Sequence, residues 1–285
     1  MILRVSNILF VLCLIAATAT AAMPSESSRR PYLALGDSVV FGFINEAGVE
    51  YVNPENFVGF PDYVGLRLRV NVFDAGCPGE TTGSFLSTSA LDIGCRSFKS
   101  QLPLHVAYTG TQSSYALSFL TNHPETRLVT IMLGANDLFL LQFACTGDPT
   151  CIANGLPQVL TGLGTNMATI LAEIRGAGYK GVIVVANYYS LDYTNTSGTE
   201  ITGLLNQALA AAAQAQGAVV ADVFSAFQVA ASTTFAGGQT CKAGLLNSNG
   251  SLNQFTCDVH PSQSGQKLIA RAIEAAYTAA VRGLE

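Results

Sequence analysis

Short apolar segments alternate with longer helical patterns along this chain, and this alternation limits the possible folds more than any other feature. Four of the apolar segments are pronounced, a fifth at residues 70–74 is weaker, and each ends at or beside Gly, Asn or Asp. Such segments are typical of strands that are buried on both faces of a parallel sheet. The other four predicted strands are residues 32–35, 127–133, 181–186 and 218–223.

Helical patterns fill the intervals between these predicted strands. The last of them places Leu268, Ile269, Ala272, Ile273 and Ala276 on one apolar face. Alternating strands and helices predict an α/β fold: a three-layer α/β/α sandwich around a mostly parallel, five-stranded sheet. Functional residues are then expected beyond the carboxyl ends of the strands. The predicted helices are residues 57–69, 156–176, 201–217 and 262–282.

The first 22 residues have the pattern of a secretory signal peptide. Arg4 gives a positive start, residues 8–17 are apolar, and Ala19-Thr20-Ala21 resembles a cleavage site. The apolar run is shorter than the roughly 20 residues of a membrane span, although an uncleaved anchor is the alternative. No later segment has the pattern of a stable membrane span. We therefore predict a secreted protein with one large α/β domain over residues 31–285.

Composition excludes some classes of protein. The 285 residues are 49% hydrophobic and 12% charged, which is enough apolar material for a substantial core. Lys and Arg total 14 against 19 Asp and Glu, so the formal net charge is −5, and no basic run is present. Nucleic acid is an improbable partner because phosphate binding needs clustered cations.

The cysteine count indicates disulfides. One of the seven cysteines, Cys13, lies in the predicted signal peptide, and an even number remains. Even counts after a signal peptide are typical of disulfide-bonded proteins, while the absence of CxxC and three scattered histidines argue against a metal site. Many connectivities are possible. Pairing of neighbours along the chain predicts Cys77–Cys95, Cys145–Cys151 and Cys241–Cys257.

Two polar stretches follow the first two predicted strands. Gly36-Asp37-Ser38 places a serine at a strand-to-helix turn, where its amide can stabilise an oxyanion. In the stretch 76–82, Gly79 lets the backbone approach a ligand and offers a second amide. Taken singly, the first stretch could be a capped turn and the second a Pro-Gly turn.

Two further stretches follow later elements. Asn136 comes shortly after the third predicted strand in the chain, and its amide group is a neutral donor that can meet developing negative charge. The sequence Asp258-Val259-His260-Pro261-Ser262 precedes the last helix and places a histidine, the usual general base, on a predicted loop. A helix cap and a structural histidine are the respective alternatives.

Together these stretches resemble the four blocks of the SGNH hydrolase family (GDSL-type esterases and lipases), in the order Ser, Gly, Asn, His. The resemblance covers essentially the whole mature chain and implies a flavodoxin-like fold without a metal or organic cofactor. It implies that Ser38 is the nucleophile and His260 the base. The oxyanion hole would comprise the Ser38 amide, the Gly79 amide and the Asn136 side chain.

The sequence departs from this family in the position of the catalytic acid. The family usually places it three residues before the histidine, where this chain has Cys257. Asp258 lies two residues before His260, and residues two apart point the same way in an extended chain. Asp258 is therefore the predicted third catalytic residue, with a backbone carbonyl as the alternative.

These features predict a serine ester hydrolase that forms an acyl-enzyme on a small-molecule or lipid-like ester. Residues 138–141 and Phe143 are apolar and could line an acyl pocket for lipid-like, aryl or short-chain esters, or they could be the buried face of a helix. A carbohydrate O-acetyl esterase would use the same machinery. A non-catalytic binding protein on this scaffold is the alternative from another class. The oligomeric state and the natural ester stay open.

Overall fold

The fold is described by a computed structural model that covers residues 29–249 and 256–283. Five parallel strands form the central sheet in the order β2-β1-β3-β4-β5. This order is that of flavodoxin-like sheets, so the predicted fold class is confirmed. The strands are β1 (Pro31–Gly36), β2 (Asn71–Asp74), β3 (Leu128–Met132), β4 (Val182–Ala186) and β5 (Val219–Ala221).

Helices cover both faces of this sheet. On one face α10 contacts α2, α9 and strand β4, and on the other face α7 packs beside α5 and α8. The helices are α1 (Ser38–Phe41), α2 (Phe60–Leu68), α3 (Thr82–Leu86), α4 (Cys95–Gln101), α5 (Gln112–Asn122), α6 (Ala135–Ala144), α7 (Pro149–Gly176), α8 (Thr196–Ala215), α9 (Val223–Ala231) and α10 (Gln263–Arg282).

The apolar pattern located the long elements, whereas their ends are set by local capping. Strands β1 and β3 are buried along their whole length, as expected for the centre of a covered sheet. Helix α7 begins seven residues before its predicted start, because the Asp148 side chain accepts hydrogen bonds from the Thr150 and Cys151 amides and Pro149 occupies the first turn. Helix α8 likewise begins early, at the Asn195 cap.

A short antiparallel sheet was not predicted. Strands β6 (Leu246–Ser248) and β7 (Cys257–Pro261) pair beside the entrance to α10. Residues 257–261 were predicted as a loop, and the prediction was wrong because its pairing partner, β6, carries no alternating apolar pattern. The main consequence is that residues 258 and 260 lie in an extended strand.

Three disulfides join neighbouring cysteines along the chain. They are Cys77–Cys95, Cys145–Cys151 and Cys241–Cys257, the same pairs that the sequence suggested. The third of them connects strand β7 to the segment that precedes β6. The predicted signal peptide, residues 1–22, lies outside the described residues. Over 29–249 and 256–283, no helix is long and apolar enough to cross a membrane.

Candidate active site

Ser38 lies at the first turn of α1, immediately after the carboxyl end of β1. Gly36 adopts a φ of +141°, and a Cβ there would come within 2.0 Å of the Met132 carbonyl oxygen, so the tight exit from β1 requires glycine. Asp37 caps the helix by accepting a hydrogen bond from the Val39 amide at 2.9 Å. The sequence therefore presents Ser38 on a rigid turn at the sheet edge.

His260 and Asp258 complete a hydrogen-bonded chain with this serine. The Ser38 Oγ lies 2.9 Å from His260 Nε2, and His260 Nδ1 lies 2.7 Å from Asp258 Oδ2. The carboxylate fixes the ring proton on Nδ1, so the neutral imidazole presents Nε2 as an acceptor for the serine hydroxyl hydrogen. The arrangement can move a proton from Ser38 to His260.

Strand geometry brings Asp258 to His260 despite its unusual spacing. Both residues lie in β7, where alternate side chains project to the same side. The Asn45 amide also donates to Asp258 Oδ2 at 3.4 Å, and the Tyr189 hydroxyl donates to the Val259 carbonyl at 2.7 Å. Burial raises the pKa of Asp258, but the hydrogen bond and the charge of His260 outweigh it, so the net pKa is below its ordinary value.

Gly79 and Asn136 lie in the wall of the same cavity as Ser38 and His260. The Asn136 amide group donates one hydrogen to the Glu80 carbonyl oxygen at 2.7 Å, which leaves its second hydrogen for another acceptor. Gly79 has a φ of +86°, which favours glycine. Within the described part of the chain, neither the Ser38 nor the Gly79 amide donates to another backbone or side-chain group, so both are available to a ligand.

Tyr188 is a site residue that sequence reasoning missed. Its hydroxyl donates a short hydrogen bond to the second carboxylate oxygen of Asp37, and both residues are buried. The Asn206 side chain bonds the amide and the carbonyl of Tyr188 at 2.8 and 2.7 Å. Burial raises the pKa of Asp37 to about 6, although the hydrogen bonds oppose this shift. No sequence motif pointed to Tyr188, because it follows β4 and lies more than a hundred residues from Asp37 along the chain.

A buried network ties the first two polar stretches together. The Gln112 side chain accepts from the Gly36 amide at 2.6 Å and donates to the Gly36 carbonyl at 3.0 Å. The same amide group donates to Glu80 at 3.2 Å. Burial raises the pKa of Glu80 to about 7, while hydrogen bonds from Ser84 and Gln112 oppose this shift. These contacts hold the Gly79 turn against the end of β1.

The cavity beside Ser38 has a volume of about 830 Å³. Residues 138, 139, 141 and 143 line it, whereas residue 140 does not. None of these side chains is fully buried, although Leu138 also packs against the core, so most of this segment lines the cavity and does not form the buried face of a helix. The remaining wall is mostly apolar, with Asp37 as its one carboxylate. The lining also includes Ile93, Phe98, Ile152, Leu156, Tyr189, Leu191, Ile201 and Leu205.

The metal-ligand side chains that cluster among the described residues are Cys77, Glu80 and Cys95. Both cysteines belong to one disulfide. The cluster therefore offers no thiolate to a metal ion, and only its carboxylate is a suitable ligand.

The fold and the arrangement of the site define the class of the protein as the SGNH-type hydrolases. The chain belongs to the GDSL-like Lipase/Acylhydrolase family, whose model matches residues 34–268. It is accordingly a carboxylic ester hydrolase, and the resemblance noted in the sequence is confirmed. Among curated proteins, none matches the chain.

Solved structures share the fold at low sequence identity. An α/β hydrolase enzyme from the metagenome of Lake Arreo is 15% identical, covers 87% of this chain and 95% of its own, and has a TM-score of 0.56. The acetylxylan esterase of Geobacillus stearothermophilus is 16% identical, with coverages of 87% and 94% and a TM-score of 0.55. A GDSL-like lipase candidate from Parabacteroides merdae is 13% identical, with coverages of 90% and 99% and a TM-score of 0.55.

Proposed function

We propose that this protein is a secreted serine esterase that forms an acyl-enzyme on Ser38 and accepts esters with an apolar acyl group. The observation that carries the chemistry is the chain of hydrogen bonds from Ser38 Oγ to His260 Nε2 at 2.9 Å and from His260 Nδ1 to Asp258 at 2.7 Å. Secretion is supported by the signal pattern of residues 1–22.

In the proposed mechanism Ser38 Oγ attacks the ester carbonyl carbon while its proton moves to His260 Nε2. The resulting oxyanion accepts hydrogen bonds from the Ser38 amide, the Gly79 amide and the free hydrogen of the Asn136 side chain. Asp258 stabilises the imidazolium that forms. The alcohol then leaves with the proton from His260. Water next attacks the carbonyl carbon of the acyl-serine while its proton moves to His260 Nε2, and Ser38 Oγ leaves with that proton as the acid is released.

The apolar wall supports the substrate class. A pocket for a carbohydrate acetyl ester would be expected to offer polar groups to the sugar hydroxyls. This cavity instead places leucine, isoleucine and phenylalanine side chains from α6, α7 and α8 around the serine. An acyl chain or aryl group would bury apolar surface there at about 25 cal/mol per Å².

The test combines labelling with a substrate screen. A fluorophosphonate should label the wild-type protein on Ser38, whereas Ser38→Ala should not react and should lose about 10⁶-fold in kcat with its fold intact. The screen compares aryl esters of increasing acyl length with acetylated xylan. If the activity of Ser38→Ala were within tenfold of wild type, Ser38 would not be the nucleophile. A preference for acetylated xylan would replace the substrate class with the carbohydrate alternative.

A further inference from the structure

The place of the leaving alcohol in the cavity follows from the position of His260. In the proposed mechanism this imidazole gives a proton to the leaving oxygen, so that oxygen must lie within hydrogen-bond reach of Nε2. The ring of Phe43 packs against the imidazole, with the ring centroids 4.9 Å apart, and both residues line the cavity. The first carbon atoms of the alcohol therefore lie beside Phe43, whereas the acyl group stays bonded to Ser38.

Phe43 belongs to an apolar surface that extends along one part of the cavity. Phe98 of α4 also lines the cavity, and its ring meets that of Phe43 edge-on, with centroids 6.1 Å apart and planes at 70°. Ile93, another lining residue, is tied to the Gly79 turn because its amide donates to the Gly79 carbonyl at 2.8 Å. All three side chains are half-buried. We define the Phe43–Phe98 wall as Phe43, Ile93 and Phe98.

This part of the cavity offers few hydrogen-bonding side chains. Among the cavity-lining residues that the structure describes between positions 43 and 98, Asn45 alone has a polar side chain. A sugar or glycerol alcohol carries several hydroxyl groups, each of which needs a hydrogen-bond partner when it leaves water. An apolar alcohol needs no such partner and gains free energy by leaving water. The Phe43–Phe98 wall therefore fits an apolar alcohol better than a polyol.

Aromatic stacking holds Phe43 in place. Tyr51 stacks on Phe43 with centroids 5.4 Å apart, and it stacks on the buried Phe57 with centroids 5.3 Å apart. The Tyr51 hydroxyl donates to the Ile44 carbonyl at 2.7 Å, which fixes the ring at its other end. The wall is thus formed before a substrate arrives, and this lowers the ordering cost of binding.

Different parts of the chain surround the two halves of the ester. The apolar wall assigned above to the acyl group comes from α6, α7 and α8. On α6, the rings of Phe139 and Phe143 lie close to each other, with centroids 6.5 Å apart. The Phe43–Phe98 wall comes instead from the segment between α1 and α2 and from residues 93–98. A substitution in one wall can therefore change selectivity for one half of the ester and leave the other half unaffected.

We propose that the Phe43–Phe98 wall is the subsite for the leaving alcohol, and that this alcohol is bulky and apolar. The inference rests on the proposed function, because the position of the leaving oxygen follows from the role of His260 as its proton donor. Contact of Phe43 with the imidazole places the subsite at the reacting bond, and the lack of polar side chains sets the class of alcohol.

The test varies the alcohol of a butyrate ester while the acyl group stays constant. Benzyl alcohol and methanol have similar acidity, so a difference between their esters reports contact with the alcohol and not leaving ability. Wild type should show a kcat/KM about tenfold higher for benzyl butyrate than for methyl butyrate. Phe43→Ala and Phe98→Ala should each lower this ratio by about fivefold. Because each ratio comes from one preparation, it does not depend on the fraction of folded protein.

Phe143→Ala is the matched control, since it removes a ring from α6. It should keep the benzyl-to-methyl ratio of wild type and change the preference among methyl esters of increasing acyl length. The subsite is overturned if wild type shows a ratio near one, if it prefers glycerol monobutyrate to benzyl butyrate, or if both Phe43→Ala and Phe98→Ala keep the ratio of wild type. Equal losses on both esters in Phe43→Ala and Phe98→Ala would mean that these rings only support His260.

Methyl butyrate separates this proposal from the proposed function. Hydrolysis of methyl butyrate that is lost in Ser38→Ala, without a preference for the benzyl ester, overturns the alcohol subsite alone. If wild type hydrolyses none of the esters and does not react with a fluorophosphonate, the proposed function itself is wrong.

Discussion

The residue that most distinguishes this site from the usual family pattern is Asp258. It lies two residues before His260, and the two side chains meet at 2.7 Å because β7 is extended. The position three residues before the histidine is instead used by Cys257 for a disulfide. Cys257 therefore links the hairpin to the preceding segment through a disulfide, while the adjacent Asp258 orients the imidazole of His260.

Asp258→Asn should lower kcat by up to about 10⁴-fold, as observed when the acid of such a triad is amidated. The physical reason is that an amide can donate to His260 Nδ1 and so favour the wrong tautomer. Steady-state kinetics should show the loss in kcat with KM nearly constant. The thermal midpoint serves as the control for folding. A loss of less than about fivefold would mean that another group, such as a backbone carbonyl, orients the ring.

At the scale of elements, the β6–β7 hairpin presents His260, the proposed base. Its strands are short and its pairing is interrupted by a register shift between Leu246 and Ser248. The Cys241–Cys257 disulfide joins the preceding segment to the first residue of β7, three positions before His260. Small two-stranded sheets are marginally stable alone, so we expect the disulfide to contribute much of the stability of this hairpin.

The paired variant Cys241→Ser/Cys257→Ser should lose activity at temperatures below global unfolding. Closing a loop of this size contributes about 2–4 kcal/mol, and without it the hairpin opens before the core does. Ester hydrolysis and near-UV circular dichroism are followed together on heating.

The matched control is Cys145→Ser/Cys151→Ser, which removes the disulfide at the turn between α6 and α7, outside β7. In this control, activity and circular dichroism should be lost together on heating, because β7 keeps its own disulfide. If activity and circular dichroism of the Cys241/Cys257 variant are lost together, the disulfide stabilises the whole protein and not the hairpin in particular.

At the scale of the whole molecule, buried carboxyl groups make stability depend on pH. Asp37, Asp74 and Glu80 are all buried, and burial raises the pKa of each, to about 6, 7 and 7. One oxygen of Asp74 accepts from the Gly76 amide at 2.8 Å, while the other, Oδ2, has no hydrogen-bond partner in the described structure. These groups favour the protonated form in the folded state.

Asp74→Asn should flatten the pH dependence of the free energy of unfolding. The unfolded chain loses this proton near pH 4 and the folded chain near pH 7, so the native state loses stability as pH rises through this window. The full effect is on the order of 4 kcal/mol, and an amide cannot lose the proton. Urea unfolding of wild type and variant at several pH values measures the difference.

Glu200→Gln provides the control, because it removes one carboxyl group from an exposed position and leaves the buried carboxyl groups in place. Parallel pH curves for wild type and Asp74→Asn would contradict the assignment of the slope to Asp74. The expected result is that the two curves converge at acid pH and separate towards neutrality.

Much of this architecture could be predicted from local pattern. The five strands and four of the helices, α2, α7, α8 and α10, were visible because each carries the apolar pattern of its buried surface. The positions of Ser38, Gly79 and Asn136 followed from strand ends, since those ends gather at one edge of a parallel sheet. Helices α3, α4, α5 and α9 and the β6–β7 hairpin were not predicted, because their buried surfaces are short or, in α5, partly polar.

The sequence by itself determined the α/β class, the candidate nucleophile and base, and the family to which the chain belongs. Only the tertiary structure decided that Asp258 reaches His260, that Tyr188 bonds Asp37, and that residues 138, 139, 141 and 143 line a cavity. The reason is physical: periodicity reports which face of an element is apolar, whereas contacts between residues far apart in the chain depend on how the elements pack. An apolar residue on α6 has the same pattern whether a core or a substrate cavity lies beside it.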